Sequence, residues 1–202
     1  MASKDFDYDE SEVGERIDRA DYEIRCLIGS DLHWPEPDET LTEYMKRHKA
    51  GRFFSEKEIT TPHHKGIARS LGYTKFLAPR HLWPLKLIVL CVGDIMRDVV
   101  ASPIRLRNLW RPVPYNMRVT GSSRARTLKG DHCNCCAGDF DFETVAARRK
   151  AEGIIRGFSI ALPSLEWSIG MGFRTLHVGV LSPRGHRHWY YSGYKDPKVP
   201  IR

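Results

Sequence analysis

No stretch of the 202-residue sequence reaches the roughly 18 consecutive apolar residues that a membrane span needs, which excludes an integral helical membrane protein. The first residues, Met1-Ala2-Ser3-Lys4-Asp5-Phe6-Asp7, lack an apolar stretch of signal-peptide type. Synthesis in the cytoplasm without a signal peptide is therefore expected. Repeats and low-complexity tracts are missing as well. Cysteine is sparse and odd in number (Cys26, Cys91, Cys133, Cys135, Cys136), with three of the five inside four positions. Adjacent cysteines rarely bridge each other, so this is poor material for a disulfide framework and reduced thiols are expected. What remains is ample for one globular domain: 41% of the residues are hydrophobic and five are Trp.

The charge becomes informative once it is divided. Residues 1–44 hold 14 Asp/Glu against 4 Lys/Arg, a net of −10, whereas residues 45–202 hold 28 basic and 11 acidic residues, a net of +17. An acidic N-terminal arm over 1–48, partly helical or flexible, is expected before a basic domain over 49–202. A basic body favours a polyanionic partner such as nucleic acid, a membrane surface or an anionic cell wall. The arm can dock on that body, hold another basic protein, or stay solvated.

Local patterns give an outline of the elements. Glu15–Ile28 and Thr40–Lys49 read as short helices interrupted by Pro35-Glu36-Pro37. Ser55 before Glu58 fits a helix N-cap with a returning carboxylate. From Leu82 to Val100, the apolar residues Leu85, Ile88, Val89, Val92, Ile95, Met96 and Val99 recur at spacings of three and four, as one buried helix face requires. Ile104–Arg107 alternates like a strand, and Arg111 to Asp131 reads as a polar loop. Ala137–Phe142 is expected as a strand and Phe142–Arg156 as a helix with Val145 and Ile154/Ile155 inward. Gly157–Leu162, Trp167–Met171, Thr175–Leu181 and Trp189–Tyr191 are expected as later strands. The fold class is α+β, with helices packed on a small antiparallel sheet.

Most of the nine histidines, including His63-His64 and His186/His188, fall in polar, turn-like stretches. His132 differs. It stands seven positions before Asp139, and a turn across 133–136 would bring imidazole and carboxylate together. His177 lies in an apolar strand pattern, Leu176-His177-Val178-Gly179-Val180, where a buried imidazole needs a partner. Two His and one Asp, with a fourth position left to water, make the ligand set of a catalytic zinc site. Cys133, Cys135 and Cys136 offer a rival thiolate reading, but consecutive residues cannot all aim at one ion.

From Phe53 to Trp189 the sequence resembles the zinc D-Ala-D-Ala carboxypeptidase and peptidoglycan endopeptidase family, which shares its fold with the hedgehog signalling domain and includes many phage endolysins. The family pattern Ser-x-His-x-x-Gly-x-Ala-x-Asp is matched in register by His132, Ala137 and Asp139. His177 matches the following His-x-Asp strand, and Trp189 the terminal aromatic. Phe54-Ser55-Glu56-Lys57-Glu58 looks like the entry motif, and Trp110-Arg111-Pro112-Val113-Pro114-Tyr115-Asn116 like the family's Tyr-Arg-Ser-Pro-x-x-Asn stretch. The sequence departs from the pattern at Gly130 (for Ser), Cys135 (for Gly), Gly179 (for the Asp of His-x-Asp) and Arg174. Arg174 stands where many relatives carry the general-base carboxylate, and an arginine cannot take a proton.

The resemblance implies zinc held by His132, Asp139 and His177, with Arg111 gripping a substrate carboxylate. Glu166, the nearest upstream carboxylate, is the remaining candidate base. The substrates implied are peptidoglycan stem peptides, cut after release from the cytoplasm or by a virion-associated enzyme. A degenerate relative, keeping zinc as a binding or structural protein of a viral particle, is the alternative; its acidic arm would suit a basic protein partner. Nucleic-acid binding rests on charge alone, with no recognition motif.

Overall fold

The structure, a computed structural model, describes residues 10–191 and Tyr194. Helix α1 (Glu10–Ile28) is amphipathic: Val13, Ile17, Ala20, Ile24 and Leu27 recur every three or four residues and all are buried. They belong to the same apolar core as the central helix and the sheet. Polar contacts pin α1 further, since Arg16 Nη1 donates to the Leu181 carbonyl at 2.9 Å and Glu23 accepts from the Leu165 N–H at 3.1 Å. Of the alternatives for the acidic segment, docking on the body is the one observed for α1.

Helix α2 (Leu41–Arg47) opens with a reciprocal capping box between Thr40 and Glu43. Helix α3 (Glu56–Thr60) has the expected cap, with Ser55 accepting from the Glu58 N–H. The Glu58 carboxylate does not return to it. It accepts the Leu106 N–H at 2.7 Å and so ties α3 to the first strand. After α4 (Lys65–Ser70) comes α5 (Trp83–Val100), the core helix. Its burial is wider than one stripe: every residue from Pro84 to Asp94 is buried, whereas Val99, expected inward, is 40% exposed.

The sheet has the order β1-β2-β4-β3-β5, from β1 (Ile104–Asn108), β2 (Ala137–Phe142), β3 (Ser168–Met171), β4 (Thr175–Gly179) and β5 (Arg187–Tyr190). All neighbours are antiparallel except β3 and β5, which pair in parallel. The sheet is thus mixed, not wholly antiparallel as expected.

Two further expectations fail. Residues 111–131 hold two short helices, α6 (Val113–Thr120) and α7 (Arg124–Leu128), where a loop was expected. Gly121 in the left-handed region, φ +67°, ends the first, and Ser123 caps the second. Neither is long enough to show a periodic stripe, and α6 is anchored by tertiary contact: Tyr115 Oη accepts the His64 N–H at 3.1 Å. Residues 157–161, expected as strand, continue α8 (Val145–Ala161). The buried residues Arg148, Ala151, Glu152, Ile155 and Ser159 keep the helical period through that stretch, and Ile160 is 81% exposed.

Candidate metal centre

One row of residues crosses the whole sheet. Asn108 on β1 pairs with Asp139 on β2, Asp139 with His177 on β4, His177 with Gly170 on β3, and Gly170 with Trp189 on β5. Directly opposed residues point to the same face, so the register alone brings Asp139 and His177 together. His132 reaches them from the turn before β2 (residues 131–134), just outside the strand that carries Asp139. The three side chains are buried, and their ligand atoms lie within 4.8 Å of one another. They could hold a metal ion.

The hydrogen-bond pattern tests whether they suit one. His132 Nδ1 lies 2.9 Å from the Leu109 carbonyl, which can only accept, so that nitrogen carries the proton. Burial and the Arg111 charge hold the His132 pKa below its ordinary 6.5, leaving a neutral ring. Its Nε2 lone pair then faces an oxygen of Asp139 at 3.2 Å, acceptor against acceptor. A cation between them resolves that repulsion. His177 Nδ1 lies 2.9 Å from the other Asp139 oxygen. Burial alone would lower the His177 pKa, but Asp131 and Asp139 outweigh it and raise it. Burial would likewise raise Asp139, yet the Arg111 guanidinium and the hydrogen bond from His177 hold it well below the usual carboxylate range. A neutral imidazole, an ionised carboxylate and a second imidazole converging at one point are the donors a small divalent cation takes.

Behind this group lies a carboxylate that sequence reasoning passed over. Asp131 Oδ2 is 3.2 Å from His177 Nε2 and accepts from Arg187 Nη2 at 2.5 Å and from the Ser168 hydroxyl. Its Oδ1 accepts from Ser182 Oγ at 2.8 Å. Ser168 Oγ would stand 3.0 Å from a Cβ at Gly179. Position 179 thus has no room for a side chain beside Ser168, and the carboxylate behind His177 comes from position 131. A Cβ at Gly130 would meet the Thr127 carbonyl at 2.9 Å. Cys135 takes φ +57°, a conformation in which only glycine would be free of strain.

The centre lies in the wall of a cavity of about 780 Å³. Trp189 covers one side, with its ring centroid 5.1 Å from that of His177. Gly170 makes this approach possible, because a Cβ there would come within 2.5 Å of the indole. His63, His64 and His188 also face the cavity. They come from turn-like segments and the last strand, and no motif marked them.

Two expected site residues are placed differently. Glu166 follows a short 3₁₀ turn before β3 and is not among the residues lining the cavity, so the structure does not bring it together with the three ligands. Arg111 does line it, but its guanidinium is engaged: Nη2 donates to Asp139 at 2.5 Å and Nη1 to Asn116 Oδ1 at 3.2 Å. The carboxylates lining the cavity are Asp131 and Asp139, both fully engaged. Comparison of the chain with protein-family models, with curated proteins and with solved structures finds no match.

Proposed function

We propose that this protein is a zinc-dependent peptidase acting on anionic peptides of the peptidoglycan stem type. The observation that carries the reading is the convergence of His132 Nε2, an Asp139 oxygen and His177 Nδ1 in the wall of an open cavity. Zinc at such a site supplies Lewis acidity to a peptide carbonyl. Asp139 and the two imidazoles would hold the ion, with the Leu109 carbonyl fixing the His132 tautomer. Trp189 and Tyr191 wall one side of the cavity and restrict water there. Burial lowers the pKa values of His63 and His188, aided by Arg107 for the first and Arg156 for the second. Both imidazoles are thus neutral near pH 7 and able to accept a proton from a reacting group.

A second reading has its own support. Among the described residues the cavity offers no unengaged carboxylate as base, which favours a protein that binds zinc and peptide without turnover. The test is metal content of the purified protein and of His132→Ala, with release of fragments from purified peptidoglycan measured alongside. One zinc per chain, lost in the variant together with release, supports the peptidase. Zinc without release supports the binding protein, and protein free of zinc overturns both.

A further inference from the structure

The arginine that the sequence nominated to grip substrate is bound to Asp139 and Asn116, which turns attention to the other cations of the cavity as holders of an anionic substrate. Five arginines line the cavity: Arg107, Arg111, Arg126, Arg184 and Arg187. Three are neutralised, Arg107 by Asp141 at 2.7 Å, Arg111 by Asp139 at 2.5 Å and Arg187 by Asp131 at 2.5 Å. The side chains of Arg126, on α7, and Arg184, in the loop between β4 and β5, have no hydrogen-bond or ion-pair partner among the described residues.

These two side chains come from separate elements, line the same cavity as Arg187, and are exposed, which puts them on its open side. The loop that carries Arg184 is held down: Ser182 Oγ donates to Asp131 and accepts the Arg184 N–H at 3.2 Å. Arg187 is fixed from two sides, by Asp131 and by the Trp189 ring, 4.8 Å away. Burial and the charges of Arg187 and Arg126 depress the pKa of Arg184, and they outweigh the opposing charge of Asp131, which is already paired with Arg187. Guanidiniums brought together in this way are matched by an oxyanion, which each can meet with a fork of two N–H donors.

We infer that Arg126 and Arg184, flanked by Arg187, form an oxyanion subsite at the mouth of the cavity that binds a carboxylate or phosphoryl group of the molecule presented to the metal centre. As a substrate subsite this rests on the peptidase reading; as an anion site it stands on the arginines alone. It leaves Arg111 to orient Asp139.

The test is calorimetric titration of the native protein with inorganic phosphate and, separately, with glutarate at low ionic strength. The same titrations are made on Arg126→Ala/Arg184→Ala and on Arg105→Ala, which removes a charge from β1 outside this cavity. Both mutated arginines of the double variant are exposed, so the fold should be retained. The expected result is affinity at least about tenfold weaker in the double variant and unchanged in Arg105→Ala. Tighter binding of phosphate would assign the group as phosphoryl; glutarate binding as well or better would assign it as carboxylate. No binding by the native protein, equal affinity in the double variant, or an equal loss in Arg105→Ala would overturn the subsite. Zinc content of the same samples reports separately on the metal centre. Arginine-dependent binding in zinc-free protein would keep the subsite and remove the peptidase reading.

Discussion

The Nε2 atom of His177 lies 3.2 Å from Asp131, a carboxylate whose side chain is 1% exposed and which also takes donors from Ser168, Ser182 and Arg187. With Nε2 held as the donor to Asp131, the Nδ1 lone pair is turned toward Asp139, where a cation would sit. A carboxylate behind a ligating imidazole both orients the ring and raises its basicity. Asp131→Asn keeps the shape but weakens the acceptor. It should reduce zinc affinity about 10- to 100-fold, measured by competition with a chromophoric chelator. Ring-nitrogen shifts of His177 in ¹⁵N-labelled protein should show a changed tautomer balance. Unchanged affinity and unchanged shifts would remove this role from Asp131.

Gly170 and Trp189 are predicted to be coupled. Gly170→Ala forces the indole away from His177 or forces the strands apart, and overpacking of this kind costs about 1–3 kcal/mol. In Trp189→Phe the smaller ring leaves room for the added methyl group. The double variant should therefore be more stable than the sum of the two single changes predicts. Strict additivity in denaturant unfolding would show that the close approach is not what excludes a side chain at 170.

Ser55 and Glu58 should behave as independent contributors. Ser55→Ala removes a helix cap worth about 1 kcal/mol. Glu58→Ala orphans the Leu106 N–H at a cost of about 1–3 kcal/mol. A reciprocal capping box would couple the two changes. Because the Glu58 carboxylate serves β1 and not the cap, urea melts of the double variant should match the sum within about 0.5 kcal/mol.

Lys86 on α5 is 1% exposed, and its Nζ has no hydrogen-bond partner among the described residues. Burial pushes its pKa below the ordinary 10.5. The unfolded chain therefore binds this proton more strongly than the native one, and the term makes stability rise with pH up to that ordinary value. Lys86→Met should stabilise the protein at neutral pH by about 1–3 kcal/mol. It should also flatten the rise toward pH about 10 that the native protein shows in melts across that range. A variant less stable than native at neutral pH would mean that the amine is satisfied.

Much of this arrangement was legible in the sequence. His132, Asp139 and His177 were readable because strand register and a short turn are local consequences of alternation and spacing, and these bring the three together. α5 and β1 to β4 were readable for the same reason. The site's second layer was not. Asp131 sits beside His132 in the chain and looks like a turn residue, and only the closing of the sheet sets it behind His177. The polarity of Arg111 was visible, but its engagement by Asp139 depends on a contact 28 residues away. Residues 157–161 misled because Ile, Phe and Gly read as strand, whereas the buried positions around them repeat with a helical period.

Helix α1 also sets the order in which the molecule can be completed during synthesis. Its apolar stripe leaves the ribosome long before α5, and the carbonyl that receives Arg16 belongs to residue 181. A chain under synthesis therefore holds this amphipathic helix without its partners until α5 has followed, and the Arg16 contact closes only once residue 181 has been made. For that interval the five apolar residues of the stripe stand exposed, the state in which an amphipathic segment is most open to self-association.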